Sequence, residues 1–478
     1  MRFMKKLFCT VQCAFYSRKA PGYFEYLALL FLFLVPFMTM MYGDTQAFVH
    51  YGVNFWKCMT QGGGLHNFYE YGNEMLAFYR ENGIPGAYEV IYDFPVYIVL
   101  GIWGFPLWIV CGRFGIEETS NMWTMLYSKS IYLVALAIVA YLIYKICKNI
   151  GVEDLMGRWA AFLFLSSVLV FVEIGIAGQL DVLGMPFTLL AIFFFQKKQR
   201  WRFLLFFSIA VSFKQFPLFI FLPLIMLIEK NVLKIVRDTI AVFAVTVLSG
   251  LPFPRGTEAM QVKDEVRGHF MEAFLGVKAP LYNSAVPVIV LLIGGICVWC
   301  YLRQIKDDKE LEQYSVFIPV LSMFVLLISF DSNPYWFIHL APFMAILMVY
   351  NSSRFSQLIL FETVGMLCLI LNQFGANYWV YESYWAKGML LDKLLGYPEN
   401  LITLERFCAS TNLDEYYGVF FAGFVLCIGA CLAISIPGKM KKSETVLVRP
   451  YVLLRLVLNA GISWIPGFLF VISHVISL

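Results

Sequence analysis

The chain has 478 residues, of which 60% are hydrophobic and 14% charged. Soluble domains carry roughly 25% charged residues, so this composition excludes a soluble enzyme or a nucleic-acid-binding module and leaves a polytopic membrane protein. The formal net charge is only +4, so where the charges stand matters more than their sum. Eleven cysteines, an odd number mostly inside apolar runs such as Cys297, Cys300, Cys427 and Cys431, argue against a disulfide framework. Cys58 and Cys408 stand in polar segments, where a bridge between them is allowed but nothing requires it.

The basic stretch Met1–Lys6, with Arg18 and Lys19, precedes an apolar run near 24–42. That run is too long for a cleavable signal and reads as a retained first helix with a cytoplasmic N-terminus. Asp44 follows it, in Met41-Tyr42-Gly43-Asp44. A carboxylate at the rim of a membrane-filling chain is a functional-site candidate by default. Over 44–59, Phe48, Tyr51, Phe55, Trp56 and Met59 recur at helical spacing opposite Gln46, Asn54 and Lys57. The pattern predicts a helix lying in the headgroup layer, with Asp44 at its N-terminus. Gly62-Gly63-Gly64 reads as a turn, and His50 and His66 as surface histidines, since no ligand spacing marks a metal site.

Further spanning-length runs fall near 123–146, 157–175, 181–196, 235–252, 284–302, 312–330, 335–350, 355–372, 416–436 and 451–478. Two stretches are settled by the rule that Lys/Arg clusters face the cytoplasm. With 94–112 kept from crossing, the clusters at 145–158 and 197–202 are both inside; Gly101, Gly104 and Pro106 predict an outer-surface or re-entrant helix there. Residues 203–229 are flanked by basic clusters on both sides, with Lys214 and Pro217 in the middle. A helical hairpin keeps both clusters inside and brings Lys214 to a wet cavity from outside, since arms of about 13 residues are short of the roughly 20 that span. The expected fold is an all-α polytopic membrane protein with about thirteen membrane segments and outer juxtamembrane helices.

On that topology the outer face collects the polar segments 43–93, 176–181, 253–283 and 373–415, with the tips at Lys214 and at Asp331–Pro334. Asp44, Asp93, Asp181, Lys214 and Asp331 then share one side. Gln179, two residues before Asp181, suits hydroxyl recognition. Lys214, between aromatic residues in an apolar run, needs an anion or water, and a lipid phosphate answers that need. Arg267 and His269 add polar groups in 253–283, and His339 sits inside the helix after Pro334.

Four motifs in this order resemble the GT-C superfamily of membrane glycosyltransferases, in particular bacterial relatives of the GPI mannosyltransferases. They are Gly43-Asp44 after the first span, Tyr92-Asp93-Phe94-Pro95-Val96-Tyr97 opening an outer helix, Gly178-Gln179-Leu180-Asp181, and the tip Lys214-Gln215-Phe216-Pro217. Pro95 stands alone where the family has a Pro pair, and Asp331–Tyr335 with His339 replaces the family's late basic motif. The resemblance covers the first half, so residues 1–230 read as a GT-C-like module with outer loop 43–93. Residues 231–478 read as variable C-terminal helices with outer loops 253–283 and 373–415.

The resemblance implies an inverting glycosyltransferase of the plasma membrane, working at its extracytoplasmic face. The donor is a polyprenyl-phosphate sugar, and the acceptor is a hydroxyl on a lipid-linked or cell-envelope glycan. Asp44 is the implied base; Lys214, Arg267 and His339 the implied phosphate ligands; Tyr92, Asp93, Gln179, Asp181, Asp331 and Tyr335 the substrate-binding residues. No cofactor or metal ligand is assigned, and a divalent ion is left open. The competing classes are a polysaccharide polymerase or ligase, which calls for a late outer loop rich in Arg and His, and a transporter or flippase, which calls for polar residues along a mid-bilayer path.

Overall fold

The computed structural model describes residues 19–119, 121–330, 332–377, 386–443 and 446–477. It is almost wholly helical; among the described residues the only strands are a short antiparallel hairpin, β1 Lys278–Leu281 with β2 Ser284–Pro287. Asp331 and the basic N-terminal stretch before Lys19 lie outside the described residues.

In chain order the first helices are α1 Tyr23–Thr39, α2 Gly43–Thr60, α3 Phe68–Glu81, α4 Phe94–Phe114, α5 Met122–Asn149 and α6 Asp154–Leu165. A π-helical segment, Phe171–Ala177, leads into α7 Asp181–Gln196, α8 Arg200–Phe213 and α9 Pro217–Ile228. Then come α10 Val232–Val242, α11 Ala244–Gly250 and α12 Glu258–Gly276. The second half holds α13 Val288–Leu302, α14 Asp308–Ile328, α15 Ala341–Tyr350 and α16 Phe355–Ala376. It closes with α17 Leu390–Leu395, α18 Leu404–Ser410, α19 Tyr417–Ile434, α20 Arg449–Ser463 and α21 Ile465–Ser477.

Among the described residues, five helices are long and apolar enough to cross a membrane, and up to eight if each sharply bent pair counts as one span. Shorter apolar helices, among them Asp181–Gln196 and Val288–Leu302, accompany them. The expected thirteen segments are therefore not reached by length and composition; several of the apolar runs are divided. In place of the last run stand two helices, Arg449–Ser463 and Ile465–Ile476, bent by 46°, and 157–175 is interrupted and bent by 42°.

The chain turns by 83° between α1 and α2. The last carbonyls of α1 would be orphaned there. The Lys129 ammonium of α5 accepts this task, donating to the carbonyls of Phe37, Met40 and Gly175 at 2.8 Å each. Lys129 is wholly buried, and its charge also lies 4.6 Å from the centre of the Phe37 ring.

Of the two expectations for 94–112, an outer-surface or a re-entrant helix, the re-entrant one is corrected. Gly101, Gly104 and Pro106 lie in an unbroken helix of 21 residues. The glycines serve close packing instead: a Cβ on Gly52 would stand 2.8 Å from the Leu100 carbonyl oxygen, and one on Gly104 would stand 2.7 Å from the Gly52 carbonyl carbon. Tyr51 packs on Tyr97, and Trp56 on Phe105 and Trp108, so α4 runs alongside α2 and shares its direction rather than that of α1.

The polar face assigned to α2 is largely covered, with Gln46 and Lys57 only partly exposed. Asn54 is buried and accepts from the Tyr79 hydroxyl at 2.9 Å, and Lys57 donates to Glu118 at 3.0 Å. His50 is buried as well, against the expectation of a surface residue; it stacks on Tyr79 and contacts Glu118 at 3.2 Å and the Pro85 carbonyl at 2.9 Å. His66 is exposed. Cys58 and Cys408 are buried free thiols, so no bridge joins them.

The basic clusters do gather at one end. Arg200 pairs with Glu229 at 2.8 Å and Asp238 at 2.5 Å, Lys198 with Asp308 at 2.5 Å, and Lys442 donates to the Ile150 carbonyl at 2.5 Å. Gln196 reaches Asn149 at 3.2 Å and Ser315 at 3.0 Å, linking these groups. Since Arg200 starts α8 and Glu229 caps the end of α9, the two helices fold back on each other. Phe203 and Phe207 of α8 meet Phe221 of α9 midway. The hairpin read from the sequence is present, with Lys214 at its tip.

Candidate active site

Four separate segments meet at the end opposite those clusters. The first is the start of α2. Asp44 lies in its first turn but makes no capping bond. Its Oδ2 instead accepts from Gln179 Nε2 at 3.0 Å. The second segment is the turn 177–181. Gly178 has φ +64°, a conformation that glycine adopts freely, and a Cβ there would stand 2.8 Å from Thr45 Oγ1. Thr45 donates to the Ala177 carbonyl at 2.9 Å, which fastens this turn to α2. The π-helix ahead of it, a form enriched at functional positions, sets the direction in which Gln179 and Asp181 project.

The hairpin tip is the third segment. Lys214 Nζ lies 2.5 Å from Asp181 Oδ1, and His339 Nε2 lies 3.2 Å from that same oxygen. The ammonium also lies 5.1 Å from the centre of the Trp336 ring and 5.3 Å from that of Phe216, a favourable place for a cation. The fourth segment is α12. Its Arg267 and Lys263 both pair with Asp93, Lys263 at 3.1 Å, and Lys263 also donates to the Tyr69 hydroxyl at 3.0 Å.

A cavity of about 370 Å³ opens between these parts. Tyr92, Asp93, Lys214, Arg267 and Tyr335 line it, together with an apolar wall that includes Phe213, Phe270, Phe274 and Trp336. Asp44, Gln179, Asp181 and His339 do not line it. They form a polar row behind Lys214, with Asp181 and His339 buried. Asp44 is half-buried and close enough to interact with the Lys214 charge.

At the 83° bend between α1 and α2, burial pushes the Asp44 carboxyl above the usual carboxylate range; the Gln179 hydrogen bond and the Lys214 charge act against this. On α12, burial pushes Lys263 below the ordinary lysine value, with Asp93 opposing. A carboxylate so raised is a better proton acceptor than a free one. An ammonium with three donors, of which Asp181 uses one direction, keeps donors for an anion in the cavity.

Sequence reasoning passed over three charged residues. Lys263 is buried and shares Asp93 with Arg267. Glu173 is fully buried on the π-helix, and neither of its carboxyl oxygens has a partner. Lys129 holds the α1–α2 bend. Glu173 and Lys129 carry the signal that exposed Lys214, an ionisable residue inside an apolar run.

Among the described residues, one group has metal-ligand proximity: His50, Glu117 and Glu118, outside the cavity. Glu118 Oε1 already receives Lys57 and His50 and lies 3.3 Å from the Tyr79 hydroxyl. That cationic partner leaves the group reading as an ion-pair cluster.

No family model and no curated protein matches the chain. Among solved structures it is similar to the crystal structure of ArnT from Cupriavidus metallidurans in the apo state. Identity is 9% and the TM-score 0.37, over 87% of this chain and 77% of that one. A likeness of this size carries no argument about activity. The fold and the site define a helical membrane protein with an amphipathic cavity beside a polar row that holds the Asp44 and Asp181 carboxylates.

Proposed function

We propose that this protein is an integral-membrane inverting glycosyltransferase that moves a sugar from a polyprenyl-phosphate donor to an acceptor hydroxyl. The observation that carries this reading is the cavity's composition: Lys214 and Arg267 stand against an apolar aromatic wall, with the Asp44 carboxylate behind Lys214. A lipid phosphate needs both halves of such a surface. The motif order that resembles the GT-C superfamily supports the same conclusion.

In this mechanism the donor phosphate meets Lys214 and Arg267. Asp44 accepts the proton of the acceptor hydroxyl as that oxygen bonds to the anomeric carbon. The bond between that carbon and the phosphate oxygen breaks, and its electron pair leaves with the lipid phosphate. One displacement inverts the anomeric centre. The leaving group departs as an anion, so cationic stabilisation does the work of a general acid. Gln179 orients Asp44, and Asp181 with His339 holds Lys214 in place. Tyr92 and Tyr335 face the sugar, and Asp93 sets the position of Arg267. Basic clusters at the opposite end support, by the positive-inside rule, a site on the extracytoplasmic side, and the proposed membrane is the plasma membrane. The acceptor is then a lipid-linked or envelope glycan.

The test is transfer from a panel of radiolabelled prenyl-phosphate sugars in membranes carrying the wild-type chain or Asp44→Asn. Transfer by the wild type that the variant lacks at equal expression supports the reading. Transfer by neither, or equal transfer by both, removes it.

A further inference from the structure

A second cavity, about 590 Å³, lies at the end of the molecule opposite Asp44. It opens where α7, α8, α9 and α14 end or begin, together with the α13–α14 linker. Its cations are Lys198, Arg200, Lys230 and Lys306, against the acids Asp307 and Asp308.

These charges are unequally neutralised. Arg200 is satisfied by Glu229 and Asp238. Lys198 pairs with Asp308, but both side chains are largely exposed, and a pair of that kind holds weakly. Asp307 is occupied as the N-cap of α14, accepting from the Glu310 amide at 2.7 Å. Lys230 has no acidic partner: its ammonium donates to the carbonyls of Met226 at 2.7 Å and Cys300 at 2.9 Å. Lys306 makes no ion pair among the described residues. Lys230 and Lys306 thus form no ion pair within the described residues; the acid that Lys306 acts on, Glu310, is itself held by Arg303.

Apart from Gln199 the remaining lining is hydrocarbon, and the buried Phe195, Phe203, Leu227 and Leu311 form the floor. Close in the chain to the lining residues Arg200, Lys230 and Ile305, large apolar side chains are bare: Trp201 at 77% exposure, Leu233 at 80% and Leu302 at 74%. A Trp beside a basic cluster marks the headgroup level of a bilayer. Cations at that level with an apolar floor beneath fit a ligand with an anionic head and acyl chains.

We propose that this cavity binds the headgroup of an anionic phospholipid, with its phosphodiester between Lys230 and Lys306 and its chains along the floor. The site is separate from the sugar-transfer cavity and does not rest on that reading. Its lipid belongs to the leaflet at the basic end.

The test uses the full chain, purified and delipidated in a neutral detergent, with thermal unfolding followed as lipid is added. Phosphatidylglycerol should raise Tm by about 5 °C when well above its Kd. Phosphatidylcholine and inorganic phosphate should leave it unchanged. Lys306→Glu, at an exposed position, should remove at least half of the phosphatidylglycerol shift while keeping the wild-type Tm in phosphatidylcholine. Native mass spectra should show one fewer phosphatidylglycerol retained by Lys230→Met. An undiminished shift in Lys306→Glu, with retention unchanged in Lys230→Met, overturns the proposal. So does a shift matched by phosphatidylcholine, which makes the effect unspecific, or one matched by inorganic phosphate, which makes this a free-anion site.

Discussion

The Lys214 ammonium lies 2.5 Å from Asp181 Oδ1, and the other oxygen of that buried carboxylate has no partner. The pair is thus a structural clamp on the hairpin tip as well as a source of positive charge for the cavity. Removing one partner of a buried pair costs about 3–5 kcal/mol, because the other charge is left without compensation. Lys214→Met should lower the Tm of the purified protein accordingly. The double change Lys214→Met with Asp181→Asn should recover much of that loss without recovering transfer. Recovery of transfer in the double variant would take the cation out of the mechanism.

Asp44 offers a sharper separation of folding from chemistry. Its carboxylate is held by one hydrogen bond from Gln179 and caps nothing. Asp44→Asn should keep wild-type Tm while transfer falls by about 10²- to 10⁴-fold, the usual contribution of a general base. The base works when deprotonated, so activity should decline as pH falls through its raised pKa, above the usual carboxylate range. Gln179→Leu removes a bond that favours the charged form and should move this acid limb further up. A limb that stays in place after Gln179→Leu assigns it to another group.

Glu118 gives a stability signal independent of catalysis. Burial raises its carboxyl, but His50 and Lys57 more than offset this, holding it down to about 2. A depressed carboxylate stabilises the folded state above its unfolded pKa, near 4.3, and loses that contribution as pH falls toward about 2. Two to three pH units correspond to about 3 kcal/mol. Glu118→Gln should be less stable than wild type at pH 7, with the gap closing as pH drops below about 4. A gap independent of pH would mean packing, not charge, is what the substitution disturbs.

The side-by-side helices α2 and α4 meet where Gly52 faces the Leu100 carbonyl at less than ordinary contact distance for any added carbon. Gly52→Ala forces backbone apart, and overpacking of this kind costs about 1–3 kcal/mol. Lower Tm with transfer reduced in proportion is the expected result, because α2 carries Asp44. A variant as stable as wild type would show that the two helices separate freely.

How much of this was legible in the sequence depended on the kind of signal. Lys214 stood out because one charge in a long apolar run admits few explanations, and flanking basic clusters demanded a hairpin. The meeting of Asp44, Gln179, Asp181 and Lys214 was legible for the same reason: sidedness confines rim charges to a common surface. Lys263 was not legible, because in Gln261-Val262-Lys263-Asp264 nothing distinguishes a buried lysine from a solvated one. His50 and Asn54 were misplaced because α2 is covered on both faces, by α3 and the 117–119 segment as well as by α4, and helical spacing reveals only one apolar stripe. Gly101 and Gly104 were read as breakers because propensity is local, whereas their use is an approach by a distant helix.

The bond from Arg200 to Glu229 ties the hairpin at its base, and so fixes how far its tip can travel. α8 has 14 residues, a rise of about 21 Å, while the hydrocarbon layer is about 30 Å thick. Even if upright, the ammonium stops roughly 9 Å short of the far boundary. In the proposed reaction a prenyl phosphate then descends from its own headgroup plane, or the bilayer dimples to deliver it. Bilayer thickness then becomes a determinant of turnover, with reconstitution in shorter-chain lipids favouring the reaction and thicker membranes starving it.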